Sequence, residues 1–258
     1  LAPAGGALAM SLLLFAAGAA GALGPGYSTF YFLVQAVGLL FAYRFKPEIS
    51  GRAWMWLLPV ALLLPLAFFP QAHPDPLYYH LLAARRWFDH GRLYFDIDQP
   101  LFFLGGLWDL LHLGTISWLP LKPGEELLYQ QISGQIVTLV IGGGGTLWLL
   151  RLLWREITQE WWPAMLTWLN PLLFPLLYVA KNDWGMLLWF SASCALLRSP
   201  DLSRARSAAA GVFLAAAVSC KWASAPGAAL LGAYLLFFVP RRLRLPFLFG
   251  GLVGVAPV

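Results

Sequence analysis

The sequence predicts an all-α fold: a polytopic bundle of about nine transmembrane helices with a long outer loop carrying amphipathic surface helices. Three observations lead there. Hydrophobic residues make up 60% of the 258-residue chain and charged residues only 11%, more apolar surface than a water-soluble domain of this size can bury. Long apolar runs recur from end to end, separated by short loops. The basic residues gather in every second loop, which is a pattern of membrane topology rather than of nucleic-acid binding, despite the net charge of +5.

The apolar runs predict spans at about 4–23, 28–43, 53–69, 131–150, 157–180, 184–197, 207–220, 222–239 and 245–258. A span needs about 20 apolar residues to cross about 30 Å of hydrocarbon, so 184–197 and 207–220 are short. Short helices at membrane depth are tolerated where they border a water-filled cavity, and such a cavity is expected at their ends. The first residue is Leu1, and the last apolar run stops at Val258 with no polar ending. We therefore expect a piece of a longer chain, read throughout as a single domain, 1–258. The first run lacks the basic leader of a signal peptide. Cys194 and Cys220 match neither a zinc spacing nor a disulfide framework.

Loop charges orient the spans. Arg44, Lys46, Arg52, Arg151, Arg155, Arg198, Arg204, Arg206, Arg241, Arg242 and Arg244 supply 11 of the 17 basic residues, and their loops alternate correctly with the nine spans. The positive-inside bias assigns them to the cytoplasm. The loop at about 70–130, Lys181-Asn182-Asp183 and the Cys220-Lys221 turn then face outward. In the long loop, Leu77, Leu81, Leu82 and Phe88 recur at helical spacing opposite Arg85, Arg86 and Asp89. This predicts an amphipathic helix on the membrane surface, ended by Gly91. The stretch Leu101–Leu119, broken by Gly105-Gly106, Asp109 and His112, is expected to be interfacial, because a further span would invert every later loop.

Three places invite chemistry. Asp75, between two prolines and ahead of Tyr78, Tyr79 and His80, has two readings. It caps the surface helix that Pro76 begins, or it acts as a general base on an acceptor hydroxyl. Asp183 is likewise either a helix cap or a ligand for an acceptor amine, an acceptor hydroxyl or a divalent cation. Lys221, between two apolar runs, is costly unless paired or wet. It snorkels to the interface, or it neutralises a donor phosphate. Arg85, Arg86 and Arg92 suit that phosphate too, and suit lipid headgroups equally. Asp96-Ile97-Asp98 fits a cation site and equally a solvated loop. Gly142–Gly145 lacks the Lys-Ser/Thr of a phosphate loop, and small residues inside a span usually allow close helix packing.

The run Asp75-Pro76-Leu77-Tyr78-Tyr79-His80-Leu81, followed by Asp89-His90-Gly91-Arg92-Leu93, resembles the first outer loop of GT-C-type membrane glycosyltransferases. The similarity is greatest to bacterial relatives of the dolichyl-phosphate-mannose protein mannosyltransferases. Asn170-Pro171, Lys181-Asn182-Asp183 and the segment from Gly211 to Cys220-Lys221-Trp222 resemble that family's later spans. After the first-loop acid many members carry a second; this chain has Pro76. The resemblance, over roughly residues 53–239, implies an inverting transferase in the bacterial inner membrane, with its active site facing outward. It would take a sugar from a polyprenyl-phosphate donor and pass it to a lipid, glycan or protein acceptor, with Asp75 as base. Tyr78, Tyr79, His80, Arg85, Asp183 and Lys221 would bind substrate. It implies no certain cofactor, and the divalent cation remains an open alternative. A transporter or flippase for lipid-linked sugars is the rival reading; it calls for repeated halves with paired broken helices, which are not visible here. A membrane scaffold with merely solvated outer acids is the third.

Overall fold

The computed structural model describes residues 1–24, 33, 58–70, 76–94, 106–116, 126–158 and 179–255. Among these residues the chain is all-helical. α1 is Ala2–Ala19, with Pro3 in its first turn, where a missing N–H costs nothing. α2, Leu58–Leu63, tightens into a 3₁₀ turn over Leu64–Phe68. A π turn, Pro76–His80, runs into α3, Leu81–His90, which stops where Gly91 takes the left-handed φ of 71°. α4 is Gly106–Ile116. α5 (Glu126–Val137), a π segment (Thr138–Gly144) and α6 (Gly145–Thr158) form one long helix. α7 (Asp183–Leu197) and α8 (Arg204–Cys220) follow. α9 (Ala225–Phe238) comes after a short 3₁₀ turn, and α10 is Arg241–Val255.

Two of these helices, Ala2–Ala19 and Leu128–Trp154, are long and apolar enough to cross a bilayer. The 27 residues of the second rise about 40 Å at 1.5 Å each, more than a hydrocarbon core. Leu58–Phe68, Asp183–Leu197 and Trp222–Phe238 are apolar but shorter. The expected runs at 28–43 and 157–180 lie almost entirely outside the described residues.

Pairwise contacts fix the helix directions. A Cβ on Gly142 would meet Trp184 and Trp108, and one on Gly145 would meet Leu188, so the long helix and α7 run side by side in the same direction. Ser193 Oγ donates to the Ala210 carbonyl at 2.8 Å and the Asn182 amide donates to the Cys220 carbonyl, so α8 runs back along α7. Ser207 Oγ donates to the Leu243 carbonyl at 2.6 Å, and a Cβ on Gly254 would meet Ala215, so α10 is parallel to α8. The bundle therefore has two chemically distinct ends. One gathers Arg198, Arg204, Arg206, Arg241, Arg242 and Arg244. The other gathers residues 181–183 and 220–222.

α8 and α10 form the most extensive seam. A Cβ on Gly211 would collide with the Phe247 carbonyl, and one on Gly250 with the Ala208 carbonyl. Small residues on both helices thus let the backbones touch, as small-xxx-small pairs do in membranes. Gly142–Gly145 has the packing role its composition suggested.

The structure adds burial to one expectation and alters another. α4 is packed inside protein: Leu107, Trp108, Asp109, Leu110, Leu111, His112 and Leu113 are all buried, with α1, α3, α5 and α8 against it. The apolar face of α3, including Leu81, Ala84, Trp87 and Phe88, joins that same protein core instead of resting on lipid. The polar residues of α4, Asp109 and His112, find their partners inside the bundle.

Candidate functional site

The end of the bundle where α7 starts and α8 finishes is held by backbone-directed bonds. Asn182 is the N-cap of α7, yet its side chain makes no capping bond; its amide donates instead to the carbonyl of Cys220, the last residue of α8. After Cys220 the chain turns extended at Lys221, with φ −160° and ψ 120°. The Lys221 N–H donates to the Ala217 carbonyl at 3.3 Å, while the Lys221 carbonyl accepts from Ser224 Oγ at 2.9 Å. With both backbones fixed, the side chains of residues 183 and 221 meet.

Lys221 Nζ donates to Asp183 Oδ1 at 2.5 Å. The lysine side chain is 39% exposed and the carboxylate 16%, so the pair sits at a boundary between protein and surroundings. Asp183 Oδ2 is buried and has no hydrogen-bond partner among the described residues. The cap reading of Asp183 is thus replaced by an ion pair with one oxygen to spare. An unsatisfied buried acceptor of this kind calls for an explanation such as a bound group or a catalytic role.

A second polar cluster lies close by. α4 begins hard against the end of α8: Gly106 has φ +49°, and a Cβ there would crowd the Ser219 carbonyl at 2.8 Å. One turn on, the Asp109 carboxylate accepts from His80 Nδ1 at 2.9 and 3.0 Å. Both side chains are buried, and His112 Nδ1 stands 3.9 Å from the same carboxylate. His112 Nε2 meets Thr138 Oγ1 at 3.4 Å, at the start of the π segment. Burial pushes the His112 imidazole down to about 4, the Asp109 charge opposing this and His80 adding to it; α4 is not one of the span-length helices. Gln130 Nε2 donates to the Leu81 carbonyl at 2.5 Å, tying α3 to α5 beside this cluster.

The sequence-derived residues divide accordingly. Asp183 and Lys221 are in contact. His80 is committed to Asp109, and the Tyr79 ring lies tilted on it with centroids 4.3 Å apart. Tyr78 turns outward and is 71% exposed. Arg85 Nε pairs with Asp89 at 3.0 Å on the outer side of α3, one helical turn apart. Asp75, and with it the assignment of the base, lies outside the described residues, as do Asp96 and Asp98. It immediately precedes Pro76, where the π turn carrying Tyr78, Tyr79 and His80 begins. Among the described residues no group of three or more His, Cys, Asp or Glu could hold a metal ion.

Sequence reasoning treated Asp109 and His112 only as interruptions of an apolar stretch. The signal was present: an acid and an imidazole three residues apart in apolar surroundings face the same side of a helix, and ionisable groups so placed need a partner. The partner, His80, lies 29 residues earlier and follows only from the fold.

Comparison with known proteins returns no matching family model, no matching curated protein and no matching solved structure.

Proposed function

We propose that this chain belongs to a polytopic membrane glycosyltransferase of the GT-C type. It moves a sugar from a polyprenyl-phosphate-linked donor to a lipid, glycan or protein acceptor at the outer face of a bacterial inner membrane. The observation that carries the reading is the Lys221–Asp183 pair, a cation and a partly unsatisfied carboxylate at one end of the bundle. A partly exposed ion pair adds at most about 1 kcal/mol to stability. Folding alone is a weak reason to keep two charges there.

In the proposed reaction Asp75 takes the proton from the acceptor hydroxyl. The acceptor oxygen forms a bond to the anomeric carbon from the face opposite the phosphate. The carbon–oxygen bond to the phosphate breaks with inversion, and the departing phosphate carries the electron pair. Lys221 neutralises that developing charge, a term worth several kcal/mol in a poorly hydrated site. The free oxygen of Asp183 orients the acceptor by accepting a hydrogen bond. Tyr78, exposed beside this end, offers a ring face to the sugar.

The test is donor binding and turnover with a polyprenyl-phosphate sugar in the full-length protein. Lys221→Ala is expected to weaken donor binding at least tenfold without loss of folded protein. Unchanged donor binding and turnover in Lys221→Ala would sink the assignment.

A further inference from the structure

The end of the bundle opposite the candidate site has a feature that the transfer reaction does not use. On α10 the outward stripe runs Arg241, Leu245, Leu248, Leu252, at the i, i+4, i+7, i+11 spacing of one helix face. Leu245 and Leu252 are among the most exposed apolar side chains of the molecule, at 74% and 75%. Phe237 and Phe238, just before the Pro240 turn, are equally open. At its charged end stand Arg241 and Arg242, both exposed. Arg204 of α8 joins them, because the Ser207–Leu243 hydrogen bond brings the first turns of α8 and α10 together. The one acid described nearby, Asp201, is engaged by Arg206 at 3.6 Å.

The surface is thus cationic at one end and apolar along the rest. From Arg241 to Leu252 it rises about 16 Å, close to the depth of one leaflet of a bilayer about 30 Å thick. An amphiphile with an anionic head and acyl chains matches both parts at once, whereas a soluble anion would use only the first.

We infer that the α8–α10 corner is a binding site for an anionic phospholipid of the leaflet at the basic end. The phosphodiester lies against Arg204, Arg241 and Arg242, and the acyl chains lie along Leu245, Leu248 and Leu252. The inference rests on the membrane setting and not on the transferase reading.

Native mass spectrometry of the full-length protein, with equimolar phosphatidylglycerol and phosphatidylcholine added in detergent, tests it. Surface arginines each favour an anionic lipid by about fivefold at most. The wild type should retain phosphatidylglycerol over phosphatidylcholine by about tenfold or more, and R204Q/R241Q/R242Q should bring the ratio near one. The wild-type preference should also fall steeply between low and high salt, a readout that needs no variant. L245Q/L252Q should weaken retention of both lipids. An unchanged ratio in the arginine variant, or a preference indifferent to salt, would overturn the proposal. So would displacement of the lipid by millimolar glycerol 3-phosphate, which would mark a plain anion site.

Discussion

Two carboxylates a short distance apart carry opposite kinds of consequence. Asp109 is buried with His80, and removing one partner of a buried hydrogen-bonded pair leaves the other unsatisfied, at roughly 1–3 kcal/mol. Asp183 and Lys221 are partly exposed, so their pairing contributes at most about 1 kcal/mol. Asp109→Ala should therefore lower the thermal midpoint in detergent more than Asp183→Ala, while Asp183→Ala should cost more activity per unit of lost stability. Equal midpoint shifts would show that the two pairs do not differ in this way. His112 adds a pH dependence. Its imidazole takes a proton near 6.5 when free and only near 4 in the fold. Between those values the unfolded chain binds more protons, so stability falls as the pH drops from 6.5 towards 4 and is fully present above 6.5. The drop is of order 3 kcal/mol. Denaturant titrations from pH 7 to 4 should show it for the wild type and not for His112→Asn.

Helices carry the next level of the account, and they were legible in the sequence to different degrees. Residues 184–197, 207–220 and 222–239 are read nearly to their observed limits because polar punctuation marks them. Asn182-Asp183 opens one helix. Ser203 caps another, its oxygen accepting from the Arg206 N–H. Pro240 follows the third. The burial of α4 was not legible because it depends on what packs around it, and neither His80 nor the end of α8 is near it in sequence. The π segment at Thr138–Gly144 was also not legible. Its glycines gave a packing signal, whereas the neighbours at Gly142, Trp108 and Trp184, are distant in sequence. The α8–α10 seam makes a separate prediction. Gly211→Leu forces the two backbones apart and should cost roughly 1–3 kcal/mol or more, as in overpacked cores. A Cβ on Gly232 of α9 meets nothing within 4 Å, so Gly232→Leu should not lower the thermal midpoint. A Gly211→Leu midpoint equal to wild type would mean that the seam is not close-packed.

For the whole molecule, alternating loop charge and observed helix direction agree. Parallel and antiparallel contacts put the arginines of residues 198–206 and 241–244 at one end and Asp183 and Lys221 at the other. On the proposed membrane reading, the positive-inside bias assigns the arginine end to the cytoplasm. Single cysteines at 199 and 117, in a background without Cys194 and Cys220, should react from outside only at 117, and the reverse pattern would invert the map. The candidate site was legible in part. Lys221 and Asp183 stood out as charges between apolar runs, and the fold brings them into contact. The measurement that bears most directly on the transferase reading is a transfer assay with the full-length protein and radiolabelled polyprenyl-phosphate sugars. The wild type should release free polyprenyl phosphate as labelled acceptor forms, and Asp75→Asn should lose roughly 10²–10⁴-fold in turnover while still binding donor. Transfer at the wild-type rate in Asp75→Asn, or no transfer from any polyprenyl-linked donor, would contradict it.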